Sequence, residues 1–202
     1  MKRILVCSDI HGQLNKFTNV LDDANYDPEK DQLILLGDYV DRGPDSKGVI
    51  ENVIELVSEG AIALKGNHEQ MMIDALINQE DRDLWVDNGG YKTISSYEGD
   101  HELMLKHAAW LRDNLALYHE TEDYIFVHAG LQPDVPLEWQ EEDDMLWIRH
   151  QRPINLGKLV VHGHTPKSEV MRIHDQLFID TGATFRGKLS LVELPSMTIY
   201  ED

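Results

Sequence analysis

Short apolar runs punctuate the chain at residues 4–7, 33–36, 61–64, 124–127 and 159–161. Each is rich in Val, Ile and Leu and most end at Gly, Asp, Asn or His, the pattern of strands buried on both faces. Between the early runs the period changes. In residues 46–58, Val49, Ile50, Val53, Ile54 and Val57 recur three and four positions apart, which predicts an amphipathic helix, and residues 13–24 read the same way. The first half is therefore expected to be βα units. From residue 169 onward, strands predicted at 170–173, 177–179, 189–194 and 198–200 leave little room for helices, so an α/β core with an additional β layer is expected. No repeat or linker divides residues 1–202, which read as one domain. The acidic, partly helical segment 80–115 is expected to be a cap-like insertion covering one face, with Trp85, Tyr91 and Trp110 read as core aromatics.

Composition narrows the picture. Hydrophobic residues at 42% and charged residues at 27% describe an ordinary globular chain. The formal net charge of −19 opposes binding to nucleic acid or to an anionic membrane, where affinity comes from Lys and Arg neutralising phosphates. The same field opposes a phosphorylated substrate, so a phosphate site here needs its own concentrated positive charge, and bound metal would supply it. Cys7 is the single cysteine, which excludes an internal disulfide and a Cys-rich zinc site and suits a reducing compartment. It lies in an apolar run and is expected in the core. After Lys2 and Arg3 that run is too short for a signal peptide or a membrane span, so a cytoplasmic protein is expected.

The polar residues fall at the strand ends. The first run closes in Ser8-Asp9-Ile10-His11-Gly12, the second in Gly37-Asp38-Tyr39-Val40-Asp41-Arg42-Gly43 and the third in Gly66-Asn67-His68-Glu69. The fourth closes in His128-Ala129-Gly130 and the fifth in His162-Gly163-His164-Thr165-Pro166. Ligands of α/β sheets bind beyond the carboxyl ends of strands, so five such tips can converge on one site. They pool carboxylate, imidazole and amide oxygen without thiolate, a donor set for Mn, Fe or Zn rather than Ca.

In these motifs the chain resembles the metallophosphoesterases, specifically the phosphoprotein phosphatase branch of the calcineurin-like superfamily with its small bacterial and phage members. The resemblance runs from Asp9 to Gly187 and includes Leu146-Trp147-Ile148-Arg149, the stretch from Trp85 through Asn88-Gly89-Gly90 to Thr93, and Asp180-Thr181-Gly182. It implies a four-layer α/β/β/α sandwich. It implies two divalent or trivalent ions, Mn the first candidate in vitro with Fe or Zn as alternatives. Asp9 and His11 would hold the first, Asp38 would bridge, and Asn67, His128 and His164 would complete the second. Such a pair of ions activates a shared hydroxide for in-line attack on phosphorus. His68 would then protonate the leaving alkoxide, oriented by Asp41, while Arg42 and Arg149, together with Asn67, would grip phosphate oxygens. Pro166 stands where wider relatives carry a second His, so the first metal is expected to have few protein ligands; His162 is read as a supporting or core residue.

The leading expectation for substrate is a protein phosphorylated on Ser or Thr. A dinucleoside polyphosphate such as diadenosine tetraphosphate is the alternative, and it needs a base-stacking surface that aromatics of 80–115 would offer. A non-catalytic metal-binding adaptor would have lost ligands, yet every position is filled. A nuclease is disfavoured by the charge and by Pro166. Oligomeric state is not legible.

Overall fold

The structure, a computed structural model, describes residues 3–202. The chain runs β1 (Arg3–Cys7), α1 (Leu14–Asp23), β2 (Asp31–Leu35), α2 (Ser46–Ser58), β3 (Ile62–Ala63), α3 (Asn67–Ile73), α4 (Arg82–Trp85), α5 (Tyr91–Ser96) and α6 (His101–Asn114). It continues through β4 (Tyr118–Glu120), β5 (Tyr124–Val127), α7 (Glu142–Trp147), β6 (Leu159–His162), β7 (Met171–Ile173), β8 (Gln176–Phe178), β9 (Ser190–Leu194) and β10 (Thr198–Glu201). Single π-helical turns at Asp74–Asn78 and Val86–Gly90 link α3 to α4 and α4 to α5.

Two five-stranded mixed sheets form, ordered β10-β9-β1-β2-β3 and β4-β5-β6-β8-β7. In the first, β1, β2 and β3 are parallel; in the second, β5, β6 and β8 are. The additional β layer is thus assembled differently from the expectation. The tail splits, with β7 and β8 joining β5 and β6 while the β9–β10 hairpin returns to pair antiparallel with β1. A hairpin can be placed on either sheet edge without changing its own hydrophobic pattern, so its sequence does not reveal which sheet receives it.

Alternation along the strands divides the core into layers. Leu5, Cys7, Leu33 and Leu35 face α1 and α2. Ile4, Val6, Ile34 and Leu36 face the other way and meet Phe126, Val161 and Leu177 between the sheets. Ile125, Val127 and Val160 turn outward onto Met145 of α7 and Leu137. The four layers implied by the resemblance are present, the outermost thin and made mostly of loops. Helices α4 to α6 of segment 80–115 pack on α2 and α3, and Trp85, Tyr97, Met104, Ala108 and Leu111 extend the helix-side core. Trp85 is buried as expected and Trp110 half-buried, but Tyr91 is 55% exposed. Among the described residues no helix is long and apolar enough to cross a membrane.

Candidate metal and phosphate site

The tips of β1, β2 and β3 and those of β5 and β6 converge where the two sheets meet. Backbone bonds lace the first two loops together: Asp9 N donates to Gly37 O (3.1 Å), His11 N to Asp38 O (2.8 Å) and Gly12 N to Tyr39 O (2.8 Å). The second sheet is tied in by Gly163 N donating to His128 O (2.8 Å) and His164 N to Asp9 Oδ2 (3.0 Å). Two motif glycines are required by this closeness. A Cβ on Gly66 would stand 2.2 Å from Asp38 Oδ1, and one on Gly163 would stand 2.1 Å from Asp9 Oδ2. Asp9, His11, Asp38, Asp41, Arg42 and His164 all occupy the left-handed region, with φ between 45° and 73°. Asp and His tolerate this conformation better than most residues, and such strain concentrates at functional sites when surrounding bonds over-determine it.

Two sets of side chains meet on one carboxylate. His11, Asp38 and His68 form one, Asp38, His128 and His164 the other, each with its ligand atoms within 4.8 Å of one another. All five residues are buried. His11 Nδ1 donates to Val40 O (2.7 Å) and His128 Nδ1 to Leu36 O (2.8 Å), which fixes both tautomers and turns each Nε2 lone pair toward Asp38, at 3.4 and 3.5 Å. Burial pulls His11 well below its ordinary range, lowers His128, and draws His164 down to about 2, with His128 and Arg149 adding to the effect on His164. They are neutral at physiological pH, the form that binds metal. Burial, then Asp9 and Glu69, drive the Asp38 carboxyl well above its usual range. His128 Nε2 and Asn67 Oδ1, 3.0 Å apart, are then both acceptors, an arrangement that a shared cation satisfies. The donor set of His, Asp and Asn therefore fits two borderline-hard metal ions.

The remaining expected residues surround these sets. Asp9 lies beside them, its Oδ2 accepting from Ser8 Oγ as well as from His164 N. His68 Nδ1 donates to Asp41 Oδ2 (2.7 Å), leaving Nε2 4.0 Å from Asp38 Oδ2. Arg42 Nη1 reaches His11 Nε2 (2.7 Å) and Arg149 Nε donates to His164 Nε2 (3.0 Å). Arg42 is half-buried and Arg149 exposed, so both connect the buried ligands to solvent. His162 belongs to neither set. It is buried against Phe178, ring centroids 4.3 Å apart, and burial draws it down to about 4.

Four further residues hold the site in place. Glu69, fully buried, accepts from the backbone N–H groups of Asp38 (2.7 Å), Tyr39 (2.7 Å), Val40 (3.2 Å) and Gly66 (2.9 Å), clamping the β2 loop to the β3 tip. Burial pushes its carboxyl up to about 7 against the pull of those donors. Asp41 Oδ1 accepts from Thr93 Oγ1 (2.6 Å) and Trp85 Nε1 (3.0 Å). Desolvation nevertheless raises Asp41 to about 7, and it lowers His68. Asp180, just beyond β8, is buried near Asp9, and burial together with that neighbour lifts its carboxyl well above the usual range. Glu69 sits in a recognised motif and Asp180 follows a predicted strand, so both carried a positional signal; Trp85 and Thr93 carried only the motif resemblance.

Comparison with known proteins places this arrangement. A family model described as calcineurin-like phosphoesterase matches residues 2–187. Serine/threonine-protein phosphatase 1 of Salmonella typhimurium is 30% identical over 207 residues, covering 96% of this chain and 92% of its own. A bis(5'-nucleosyl)-tetraphosphatase PrpE of Bacillus cereus is 26% identical over 227 residues, covering 96% and 91%. Among solved structures, a Saccharomyces cerevisiae protein serine/threonine phosphatase similar to human PP5 superposes with a TM-score of 0.71 at 16% identity, covering all of this chain and 79% of its own.

Proposed function

Given that the chain belongs to the calcineurin-like phosphoesterases and is a metal-dependent phosphatase, we propose that it removes phosphate from serine and threonine residues of proteins. The observation that carries this reading is the pair of ligand sets sharing Asp38, with Arg42 and Arg149 extending from them to the surface where a protein-borne phosphate can reach. The 30% identity with a serine/threonine-protein phosphatase over nearly the whole chain supports the same substrate class.

In this reading Asp9 would take the place of His68 in the first set, so that Asp9, His11 and Asp38 would hold one ion and His68 stays free as the acid, while Asp38, Asn67, His128 and His164 would hold the other. When bound, the ions supply an activated water for in-line attack and positive charge for the phosphate oxygens. Arg42 and Arg149 bind those oxygens through planar two-point contacts that hold the phosphorus in line. His68 Nε2 delivers a proton to the departing serine or threonine oxygen. Its Nδ1–H stays on Asp41, which favours the charged imidazole against the burial that opposes it.

The test is turnover of a phosphoserine peptide and of diadenosine tetraphosphate side by side, with the purified protein after chelation and after Mn restoration. The peptide should be the better substrate, and chelation should abolish both activities reversibly. Hydrolysis of the dinucleotide alone would move the assignment to the second reading, dinucleoside polyphosphate hydrolysis, which the 26% identity to PrpE favours. Undiminished activity after metal removal would refute the metal assignment itself.

A further inference from the structure

A groove of about 760 Å³ opens beside the site, between the segment that follows His164 and the loop at 181–188, and ends on β10. This is within the size range of ligand sites. Its near end touches the phosphate-binding machinery, because Arg42 Cζ lies 5.3 Å from the ring centre of Phe185, a residue 61% exposed at the groove mouth. Val170 and Ile199 give the groove apolar surface, and Lys167, Arg186 and Lys188 line it with cations. In a chain with 18 Lys+Arg against 37 Asp+Glu, a lining of three cations against Glu169 and Glu201 is a small local excess of positive charge beside the site.

Not all of that charge is available. Lys188 Nζ is paired with Glu201 Oε2 at 2.7 Å, and Glu169 also borders the groove. Lys167 Nζ lies over the Phe178 ring, 4.6 Å from its centre, and has no carboxylate partner among the described residues. Arg186 is exposed and forms no hydrogen bond or ion pair among the described residues. The loop that carries it is held in place nonetheless. Thr181 Oγ1 donates to Lys188 O (2.7 Å), Lys16 Nζ donates to Gly187 O (3.1 Å), and a Cβ at Gly187 would stand 2.0 Å from Thr181 O. An unpaired guanidinium on a pre-organised loop loses little freedom on meeting a ligand.

We infer that this groove receives the polypeptide flanking the phosphorylated residue and selects segments that carry acidic side chains. The inference rests on the protein-phosphatase reading. An extended peptide suits a groove that combines apolar surface with cations and runs to an edge strand. A nucleotide base would find in it only Phe185 as an exposed aromatic, and that ring already carries Arg42.

The test uses the protein in its metal-loaded form and two phosphoserine peptides identical except for acidic or neutral residues flanking the phosphoserine, with p-nitrophenyl phosphate as a substrate that has no flanking residues to lay along Lys167 and Arg186. Wild type should prefer the acidic peptide by about three- to tenfold in kcat/KM, mostly through KM. Arg186→Glu and Lys167→Glu should each abolish or invert that preference while leaving p-nitrophenyl phosphate turnover and metal content unchanged, and Arg186→Gln should fall between. Equal kcat/KM for the two peptides in wild type would overturn the inference and leave the protein-phosphatase reading standing. Absence of any phosphopeptide turnover, with p-nitrophenyl phosphate still hydrolysed, would overturn both. A loss in Arg186→Glu confined to diadenosine tetraphosphate would overturn the peptide as occupant in favour of a polyphosphate.

Discussion

Replacing Thr93 by Val tests whether Asp41 is tuned from segment 80–115. The substitution keeps the buried shape and removes one hydroxyl, which donates to Asp41 Oδ1 at 2.6 Å and accepts from Asp41 N at 2.9 Å. Asp41 keeps Trp85 Nε1 on Oδ1, and Ser46 Oγ still accepts from its N–H. The carboxylate itself therefore loses one hydrogen bond, worth about 1.5–3 kcal/mol, while the 2.9 Å contact between the Thr93 and Ser46 hydroxyls is also lost. At 1.36 kcal/mol per pKa unit this lifts the Asp41 carboxyl by up to about one to two pH units, from a position already raised by burial to about 7. Because Asp41 must be ionised to hold His68 in its charged form, the acid limb of the kcat/KM profile on a phosphoserine peptide should move to higher pH by the same amount. On p-nitrophenyl phosphate, whose phenolate leaves with little help from a proton, the movement should be small. Stability follows a linked course. The folded pKa of Asp41 stands above the ordinary aspartate value of about 3.9, so its contribution to stability is present below that value and is lost as pH rises through about 7. Thr93→Val deepens that loss, and its melting temperature should fall further below wild type at pH 8 than at pH 5. An acid limb that stays in place, or equal effects on the two substrates, would show that Thr93 only fills space.

His68→Asn should retain both metals, lower kcat on a phosphoserine peptide by about 10²- to 10⁴-fold and cost much less on p-nitrophenyl phosphate; equal losses, or a variant that purifies short of metal, would make His68 a ligand rather than the acid. Arg149→Lys should keep fold and metal content and lower kcat/KM by about tenfold to a thousandfold through loss of a two-point phosphate contact. Unchanged kinetics would remove Arg149 from the site. Glu69→Ala orphans four buried backbone donors; it should lower the melting temperature and weaken metal binding by about 10- to 100-fold, and wild-type values in calorimetry and metal titration would disprove the clamp.

The candidate ligands could be proposed from the sequence because each comes within four residues of the end of an apolar run. Loops that follow parallel strands emerge on one side of the sheet, so Asp9, Asp38, Asn67, His128 and His164 could be placed beyond the carboxyl ends of strands without knowing how the sheets pack. Their partners could not. Trp85 lies 44 positions from Asp41 and Thr93 lies 52, and nothing local distinguishes an indole that fills a core from one that also donates to a carboxylate. β4 was missed for a related reason: its three residues alternate exposed, half-buried and exposed, with no apolar run to announce them. The stacking aromatics anticipated in 80–115 also depended on orientation. Trp85 is committed to Asp41 and Trp110 packs against the helix-side core, while Tyr91 is exposed with Lys92 Nζ 5.7 Å from its ring centre. The exposed ring against Arg42 is instead Phe185, from the loop after β8.

The left-handed backbone at the tips shows why such contacts escape a local reading. Asp41 and Arg42, with φ of 73° and 65°, occupy the conformation that non-glycine residues avoid, and local propensity would assign them elsewhere. What holds them is remote. Asp41 N donates to Ser46 Oγ and Thr93 Oγ1, and Arg42 N donates to Gly89 O at 3.3 Å. Gly89 is itself at φ 112°, and a Cβ there would stand 3.0 Å from Arg42 N. The run Asn88-Gly89-Gly90, which carries no ligand and no charge, is therefore where segment 80–115 meets the phosphate-binding arginine. A side chain at Gly89 would act twice, straining its own backbone and pressing on that of Arg42, at a distance in sequence from every motif that names the chemistry.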